Sequence, residues 1–319
     1  MKRTLLIMAV MLAMVATLAI AGGEQEGAAA EEGGEELYVF LPKSLDNPYW
    51  DECRIGMEDQ ADMLNVRAEF LGPPTADAAE QVKIFESVMA RNPNGIAVSP
   101  NNPSTVEPVI KAAMDAGIPV IAWDSDVPGS ERIAYVGTDN EAAGRFAGEE
   151  LAKVLDGSGT VAILHGSLSA DNAIARVNGL EQALSNYPDI EIVATEPTDE
   201  SPATALAKAE SLLQAYPDLD AFFGVTGVGV PGAGNAVVQA GKTGDVKVVG
   251  FDVVPQGVEL MRQGAVQALI SQRPYGMTQQ ALEMLYAIDK GDMPEKEIYD
   301  TGVVAVYPEE LENFLETHH

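Results

Sequence analysis

The sequence predicts an α/β fold with two doubly wound parallel-sheet domains. Short, nearly continuous apolar runs alternate with longer stretches that carry apolar residues at helical spacing. This pattern is typical of parallel strands covered by helices on both faces. The rhythm occurs twice, with a join near residues 137–140. From residue 37 onward the chain is also longer than a single core usually holds, which favours two domains.

The strands form two predicted sets, one on each side of the join. Their spans are 37–42, 66–71, 95–98, 118–122 and 133–136, and then 160–164, 190–194, 221–225, 246–250 and 266–270. Helical spacing between them predicts helices at 80–91, 105–116, 140–155, 203–215 and 256–263. A further helix at 276–289 and an extended stretch at 298–306 remain after the second set.

These last two elements imply that the chain returns to the first sheet and then crosses back. Three crossings between the domains are therefore expected, near 137–140, 270–274 and 300–303, and together they form a hinge. The predicted N-terminal lobe comprises residues 37–138 and 273–301, and the C-terminal lobe comprises residues 139–272 and 302–319. Ligands of open parallel sheets bind beyond the carboxyl ends of the strands, so two facing sheets predict one interdomain cleft.

The first 21 residues have the layout of a secretory signal peptide. Lys2 and Arg3 precede an apolar run from Leu5 to Leu18, and small residues follow,. Residues 22–36 contain six glutamates and no aromatic or β-branched residue, which predicts an acidic disordered tether,. An uncleaved membrane anchor is the alternative. We expect cleavage and a periplasmic or extracytoplasmic protein, with no cysteine in this region to carry a lipid.

The charge and cysteine content exclude several classes of site. A formal net charge of −30 argues against a nucleic-acid partner, whose phosphates need a basic surface,. Cys53 is the single cysteine, so an intramolecular disulfide or a thiolate metal cluster is impossible, and we expect it in the core,. His165 is the one histidine that does not lie at the C-terminus. The sequence is compatible both with a structural role for it and with a contact at the edge of the cleft. Neither a metal nor a cofactor is expected.

Polar and aromatic side chains follow the predicted strands, where a ligand would bind. The set comprises Asn47, Tyr49, Trp50, Trp123, Asp124 and Ser125 in the first domain and Asn172, Arg176, Thr226, Asp252 and Gln272 in the second. Carboxylates, amides and an arginine bind hydroxyl groups, and aromatic rings cover the apolar face of a sugar. The set therefore indicates a small polyhydroxylated ligand. The glycine-rich run at 224–234 has no Lys-Ser/Thr pair after it, which argues against a phosphate loop,.

Some of these residues also fit a purely structural role. Trp50 and Trp123 could be core aromatics, and Asp124 and Asp252 could cap the helices that follow their strands.

Several motifs occur in the order and spacing of a known family. They are Asn47-Pro48-Tyr49-Trp50, IPVIAWDSD at 118–126, VGTDN at 136–140, Arg176 followed by Gly179, YPDLDAFFGV at 216–225, VVGFD at 248–252 and SQRPY at 271–275. Over residues 37–312 the chain resembles the type I periplasmic binding proteins of sugar ABC importers, in the ribose- and xylose-binding branch with its LacI-like fold.

The resemblance implies ligand contacts by Asn47, Tyr49, Trp50, Asp124, Arg176, Asp252 and Gln272. It also implies a monomer that closes around a sugar and delivers it to the ABC permease with its ATPase. Ser125 stands where the ribose-binding pattern has arginine, and Thr226 where it has asparagine. Both changes remove a donor or an amide from the site and argue against ribose as the specific ligand. A pentose or similar aldose is favoured. Autoinducer-2, rhamnose or a cyclitol, and an added chemoreceptor output, are alternatives.

Two other classes of protein are weighed against a binding protein. A LacI-type regulator needs a helix-turn-helix before the first sheet, where this chain has an apolar run and an acidic segment,. A glycoside hydrolase could pair Asp124 with Asp252, one of them protonated. Arg176 in the same cleft should favour the ionised forms of both carboxyl groups, so we expect no enzyme.

Overall fold

The computed structural model describes residues 36–317. The predicted signal peptide and all but the last residue of the predicted tether lie outside the described residues. In the described range the chain forms two six-stranded sheets and ten helices. None of the helices within residues 36–317 combines the length and the apolar character needed to cross a bilayer.

The first sheet is built from the predicted first set of strands and one late strand. Its members are β1 (Leu37–Leu41), β2 (Arg67–Phe70), β3 (Gly95–Val98), β4 (Val120–Trp123), β5 (Tyr135–Gly137) and β11 (Ile298–Asp300). The spatial order is β11-β5-β4-β3-β1-β2, and every pairing is parallel. The order reverses between β1 and β3, which is the point where open α/β sheets bind ligands.

The second sheet repeats this arrangement. Its members are β6 (Ser158–His165), β7 (Asp189–Pro197), β8 (Ala221–Gly224), β9 (Lys247–Phe251), β10 (Ala268–Ser271) and β12 (Val304–Val306). The spatial order is β12-β10-β9-β8-β6-β7, and only β12 runs antiparallel, against β10. The ten predicted strands are confirmed with small shifts at their ends, and the stretch at 298–306 divides into two strands that belong to different sheets.

Helices cover both faces of each sheet. Their bounds are α1 (Tyr49–Leu64), α2 (Ala78–Met89), α3 (Pro103–Asp115), α4 (Asn140–Val154), α5 (Asp171–Leu184), α6 (Pro202–Ala215), α7 (Gly229–Gln239), α8 (Pro255–Arg262), α9 (Pro274–Asp289) and α10 (Leu311–Thr317). Asp77, Asn102, Asp139 and Ser201 accept hydrogen bonds from backbone N–H groups at the starts of α2, α3, α4 and α6,. The helical spans predicted from the sequence do not include α1, α5, α7 or α10.

The chain crosses between the sheets three times, as expected. It leaves the first sheet after β5, returns after β10 and crosses again between β11 and β12. We call the first sheet with its packed helices the N lobe, and the second sheet with its packed helices the C lobe. The residue boundaries given above for the two lobes stay a prediction.

A buried glutamine fixes the ends of two neighbouring strands in the N lobe. The Gln81 side chain on α2 is fully buried and donates from Nε2 to Pro42 O at 2.9 Å and to Ser99 O at 2.8 Å. Its Oε1 accepts from Asn101 N at 2.9 Å. These three bonds tie the chain after β1 to the chain after β3, at the carboxyl edge of the sheet.

Replacing this glutamine should cost stability. Gln81→Leu keeps the volume but leaves buried backbone groups unpaired, and we expect the free energy of unfolding to fall by about 3 kcal/mol. Urea denaturation measures the change. Gln263→Leu is the matched control, because exposed Gln263 bonds only to Glu259 one turn away, and it should change stability by less than about 0.5 kcal/mol. Equal effects of the two substitutions would contradict the role of Gln81.

Candidate functional site

A small, partly open cavity lies between the two sheets, at the carboxyl ends of their strands, with about 240 Å³ of empty space that includes solvent at its mouth. Its lining combines side chains of both lobes: Lys43, Asn47, Tyr49, Trp50 and Asp124 with Asn172, Arg176, Glu200, Thr226, Asp252 and Gln272. Nine of the eleven residues predicted from the sequence are in this set. Their contact with a ligand stays a prediction.

Trp123 and Ser125 are the two predicted residues that do not line the cavity. Both are fully buried. The Trp123 ring packs edge-on against Trp50, with centroids 5.3 Å apart, and against Phe40 at 5.6 Å. Trp123 is therefore a core aromatic in this structure, and it supports Trp50, which does line the cavity.

Asp124 and Asp252 occupy equivalent places in the two lobes. Each directly follows a strand, β4 or β9, and each has a left-handed backbone, with φ of 61° and 76°. Residues in this region of the backbone concentrate at functional sites. Neither aspartate caps a helix: no helix directly follows β4, and α8 has Val254 at its N-cap without a side-chain bond. The capping alternative is therefore excluded for both.

Asp124 is fixed by N-lobe residues. Its Oδ2 accepts from Ser99 Oγ at 2.6 Å and lies 3.9 Å from Lys43 Nζ. Its backbone carbonyl accepts from the Tyr135 hydroxyl at 2.9 Å. These contacts orient the carboxylate while it remains on the cavity wall.

Asp252 is connected to the hinge. Its Oδ1 accepts from Gln272 Nε2 at 2.8 Å, and Gln272 Oε1 accepts from Thr138 Oγ1 at 2.9 Å. Thr138 lies in the first crossing and Gln272 in the second. A hydrogen-bonded chain therefore links a carboxylate of the cavity to two of the three crossings.

Arg176 on α5 is 1% exposed and held in a fixed plane. Its Nε donates to Asn140 Oδ1 at 2.9 Å, Nη1 donates to Val225 O at 3.0 Å, and the guanidinium carbon lies 4.2 Å from the centre of the Phe251 ring. Nη2 has no hydrogen-bond partner among the described residues. A buried charged donor without a partner needs one, and a ligand oxygen in the cavity would supply it.

Two charged residues of the cavity were missed by sequence analysis. Lys43 is 3% exposed and donates from Nζ to Asn172 Oδ1, in the other lobe, at 2.7 Å. Glu200 is 4% exposed and accepts from Asn47 Nδ2, also across the lobes, at 3.3 Å. Lys43 lies two residues after β1, so the rule that ligand residues follow strands could have found it. Glu200 escaped because the predicted strand ended at residue 194, whereas β7 continues to Pro197.

Burial changes the protonation of the cavity residues. It raises the pKa of Asp252 to about 7, although the Arg176 charge acts in the opposite direction,. It also raises the pKa of Glu200 and lowers the pKa of Lys43. Arg176 favours the ionised form of Asp252, as expected, but desolvation outweighs the arginine and raises the pKa of this carboxyl group. The protonated carboxyl group that a glycoside hydrolase requires is therefore compatible with Asp252 in this cavity,.

His165 ends β6 and does not line the cavity. It is buried, its Nδ1 has no hydrogen-bond partner among the described residues, and burial lowers its pKa. Its backbone carbonyl accepts from Thr198 N at 2.9 Å and from Thr198 Oγ1 at 2.8 Å. In this structure its contacts position the loop after β7.

A larger groove of about 1340 Å³ adjoins the cavity and shares Tyr49, Asp252 and Gln272 with it. Its other walls include the apolar side chains of Ile55 and Leu315. Asp124 and Arg176 do not reach it. We assign the candidate site to the smaller cavity, because it brings the buried charges of Lys43, Asp124 and Arg176 together with Asp252.

The raised pKa of Asp252 predicts a pH-dependent stability. Between its ordinary pKa of 3.8 and about 7, the folded protein keeps a proton on Asp252 that the unfolded chain loses, so this stabilisation is lost as the pH rises through 7,. The free energy of unfolding of Asp252→Asn, relative to that of wild type, should therefore rise by a few kcal/mol between pH 5 and pH 8. Thermal unfolding at both pH values measures it. Exposed Asp245→Asn corrects for the general loss of negative charge, and an equal gain there would contradict the assignment.

Comparison with known proteins agrees with this arrangement. Residues 38–292 match the family model of the periplasmic binding protein domain. The chain is 30% identical over 262 residues to the D-allose-binding periplasmic protein of Escherichia coli (strain K12), covering 79% of this chain and 84% of that protein. It superimposes with a TM-score of 0.83 and 34% identity on the ABC transporter solute-binding protein of Burkholderia graminis C4D1M in complex with D-arabinose, covering 86% and 96% of the two chains. For GanP, a glucose-galactose binding protein from Geobacillus stearothermophilus, the TM-score is 0.82 at 33% identity, covering 87% and 99%. The chain belongs to the periplasmic binding protein family.

Proposed function

We propose that this protein is the extracytoplasmic substrate-binding subunit of an ABC importer. It captures one small neutral sugar, a pentose or similar aldose, and presents it to the permease of the importer. It acts as a monomer and releases the sugar unchanged.

The observation that supports this proposal is the composition of the cavity wall. Both lobes contribute hydroxyl-binding groups: Asn47 and Asp124 from one, Arg176 and Asp252 from the other. Trp50 and Tyr49 add ring faces, with their centroids 4.9 Å apart. Paired donors and acceptors beside aromatic rings suit a sugar, which has hydroxyl groups on its edges and apolar C–H faces.

The names of the relatives narrow the ligand class. Those described above carry names or bound ligands that refer to D-allose, D-arabinose, glucose and galactose. All of these are neutral aldoses. The family consists of transport proteins, which favours binding without turnover for this chain.

The contacts between the lobes favour capture by closure. The bonds from Lys43 to Asn172 and from Asn47 to Glu200 cross directly between the lobes beside the cavity. A sugar that touches both lobes gains its full set of contacts only when the cleft is shut, so it stabilises the closed form. The permease can then distinguish loaded from empty protein by shape.

A panel of neutral sugars tests the proposed function. At a hundred times its dissociation constant the correct ligand should stabilise the folded protein by about 2.7 kcal/mol, which appears as a raised Tm. We expect at least one of D-ribose, D-arabinose, D-xylose, D-allose, D-galactose, L-rhamnose and myo-inositol to do so, and NMR should recover it unaltered. The absence of any shift at millimolar concentration, or turnover of the sugar, contradicts the proposal.

Arginine variants provide the control for site-specific binding. Arg176→Lys loses the planar group above Phe251 and should weaken binding of the identified sugar by more than tenfold, or about 1.4 kcal/mol. Arg262→Lys, at an exposed arginine paired with Glu312, should leave the affinity unchanged. If titration calorimetry gives equal affinities for the two variants, Arg176 does not contact the sugar.

Closure itself is tested at Gly227, where the lobes approach closely. A Cβ at this C-lobe position would lie 2.9 Å from Asn47 Oδ1 and 3.2 Å from Tyr49 Cβ, both in the N lobe, and 3.2 Å from Asp252 Oδ2 in its own lobe. Gly227→Ala should therefore obstruct the closed form and leave an open form free of this clash. We expect at least a tenfold loss of sugar affinity and a larger radius of gyration at saturating sugar, by small-angle scattering.

The matched control is Gly276→Ala on α9, where an added Cβ meets nothing within 4 Å. This variant should bind the sugar with wild-type affinity and compact as wild type does. If Gly227→Ala binds and compacts like the control, capture does not require the closed arrangement described here.

A further inference from the structure

The loop between β7 and α6 carries a carboxylate into the cavity. Glu200 is 4% exposed in this loop and lines the cavity beside Arg176 and Thr226. Its Oε2 accepts one hydrogen bond, from Asn47 Nδ2, at 3.3 Å. This bond is long, and it joins residues of different lobes. The charges of Lys43 and Arg176 also favour the ionised carboxylate, so this bond alone does not account for its burial.

The backbone of this loop is strained. Asp199 and Glu200 are consecutive non-glycine residues with left-handed φ values of 51° and 57°. Long side chains rarely adopt this conformation, and it persists where surrounding structure imposes it. Here Thr198 is bonded to the His165 carbonyl, and Ser201 N donates to Thr198 O at 3.0 Å. The ends of the loop are thus fixed, and the strain between them aims Glu200 at the cavity.

Gly166 makes room for the Glu200 side chain. A Cβ on Gly166 would lie 2.6 Å from Glu200 Oε1 and 2.8 Å from Thr226 Cγ2. Distances below 3 Å are not tolerated between such atoms, so a larger residue would displace the carboxylate or the threonine. The small size of Gly166 and the strained loop thus together place the buried Glu200 carboxylate at the cavity wall.

The charges of the cavity indicate what this carboxylate does. Lys43 and Arg176 bring two positive charges to the cavity wall, where the carboxyl groups of Asp124 and Asp252 also lie. Glu200 adds a third carboxyl group, although burial opposes its ionisation. A third acceptor suits a ligand rich in hydroxyl donors and repels one that carries a negative charge.

From this geometry we infer that Glu200 is a specificity-determining residue, which accepts a hydrogen bond from a hydroxyl of a neutral sugar and excludes sugar acids. The inference rests on the proposed function and assigns one selective contact within that site. Loss of this contact should change which ligands bind as well as how tightly they bind.

Glu200→Gln tests the inference because it removes the charge and keeps the shape. The probes are D-ribose, D-arabinose, D-xylose, D-allose and D-galactose, each measured beside its aldonate by titration calorimetry. For the sugar that wild type binds most tightly, we expect the affinity to fall at least tenfold. The ratio of sugar affinity to aldonate affinity should also fall, by about tenfold, because the third carboxylate no longer repels the aldonate. The Tm without ligand should stay equal or rise, since a buried charge is removed.

Two variants provide the comparisons. Glu196 lies on β7, the strand before the Glu200 loop, and its carboxylate pairs with Lys208 away from the cavity. Glu196→Gln should therefore leave both affinities unchanged. Glu200→Asp keeps the charge at shorter reach, and it should bind the sugar more weakly while keeping the preference over the aldonate.

The possible outcomes separate the two proposals. If Glu200→Gln leaves the sugar-to-aldonate ratio unchanged, or Glu200→Asp loses the preference as Glu200→Gln does, Glu200 does not determine specificity and the sugar site stands. If wild type binds none of the five sugars, the proposed function fails and this inference fails with it.

Discussion

The arrangement of this site depends on the burial of opposite charges between two separately folded sheets. Lys43 and Arg176 lie with Asp124, Glu200 and Asp252 in one small cavity, and each is at most 5% exposed. Desolvation of this kind is unfavourable unless the charged groups are paired or hydrogen-bonded. Part of the pairing comes from across the cleft, as in the bond from Lys43 to Asn172. Arg176 Nη2 has no partner among the described residues, and a molecule bound between the lobes would supply one.

The hinge takes part in the same network. Thr138 and Gln272 come from different crossings and are joined to Asp252 by consecutive hydrogen bonds of 2.9 and 2.8 Å. A ligand hydroxyl bonded to Asp252 would therefore be connected, through these hydrogen bonds, to two of the three crossings. Left-handed backbone at Asp124, Glu200 and Asp252 shows that the fold accepts local strain to aim three carboxylates at one point,. The strands that lead to Asp124 and Asp252, β4 and β9, are almost wholly buried, which stabilises the fold around this strain.

Sequence patterns predicted the sheets well, because buried parallel strands are continuous apolar runs, which fit few other kinds of secondary structure. The rule that ligand residues follow strands also placed Asp124 and Asp252 at equivalent positions of the two lobes. Trp123 shows the limit of that rule: it ends its strand and faces the core, and the sequence contains no signal for which face a terminal residue takes. Glu200 was missed because its strand runs three residues beyond the apolar pattern and its loop then turns through left-handed conformations. Interlobe partners such as Asn172 for Lys43 depend on the closed arrangement, which no local pattern encodes.

The central claim is that a single sugar is held by both lobes in this cavity. A crystal structure of the protein with the sugar that most raises its Tm tests it most directly. The account predicts electron density for one sugar between the sheets, with hydroxyl groups within hydrogen-bond distance of Asp124 on one side and of Arg176 Nη2 and Asp252 on the other. Density for the sugar in the adjoining groove, or contacts to the residues of one lobe alone, would contradict it.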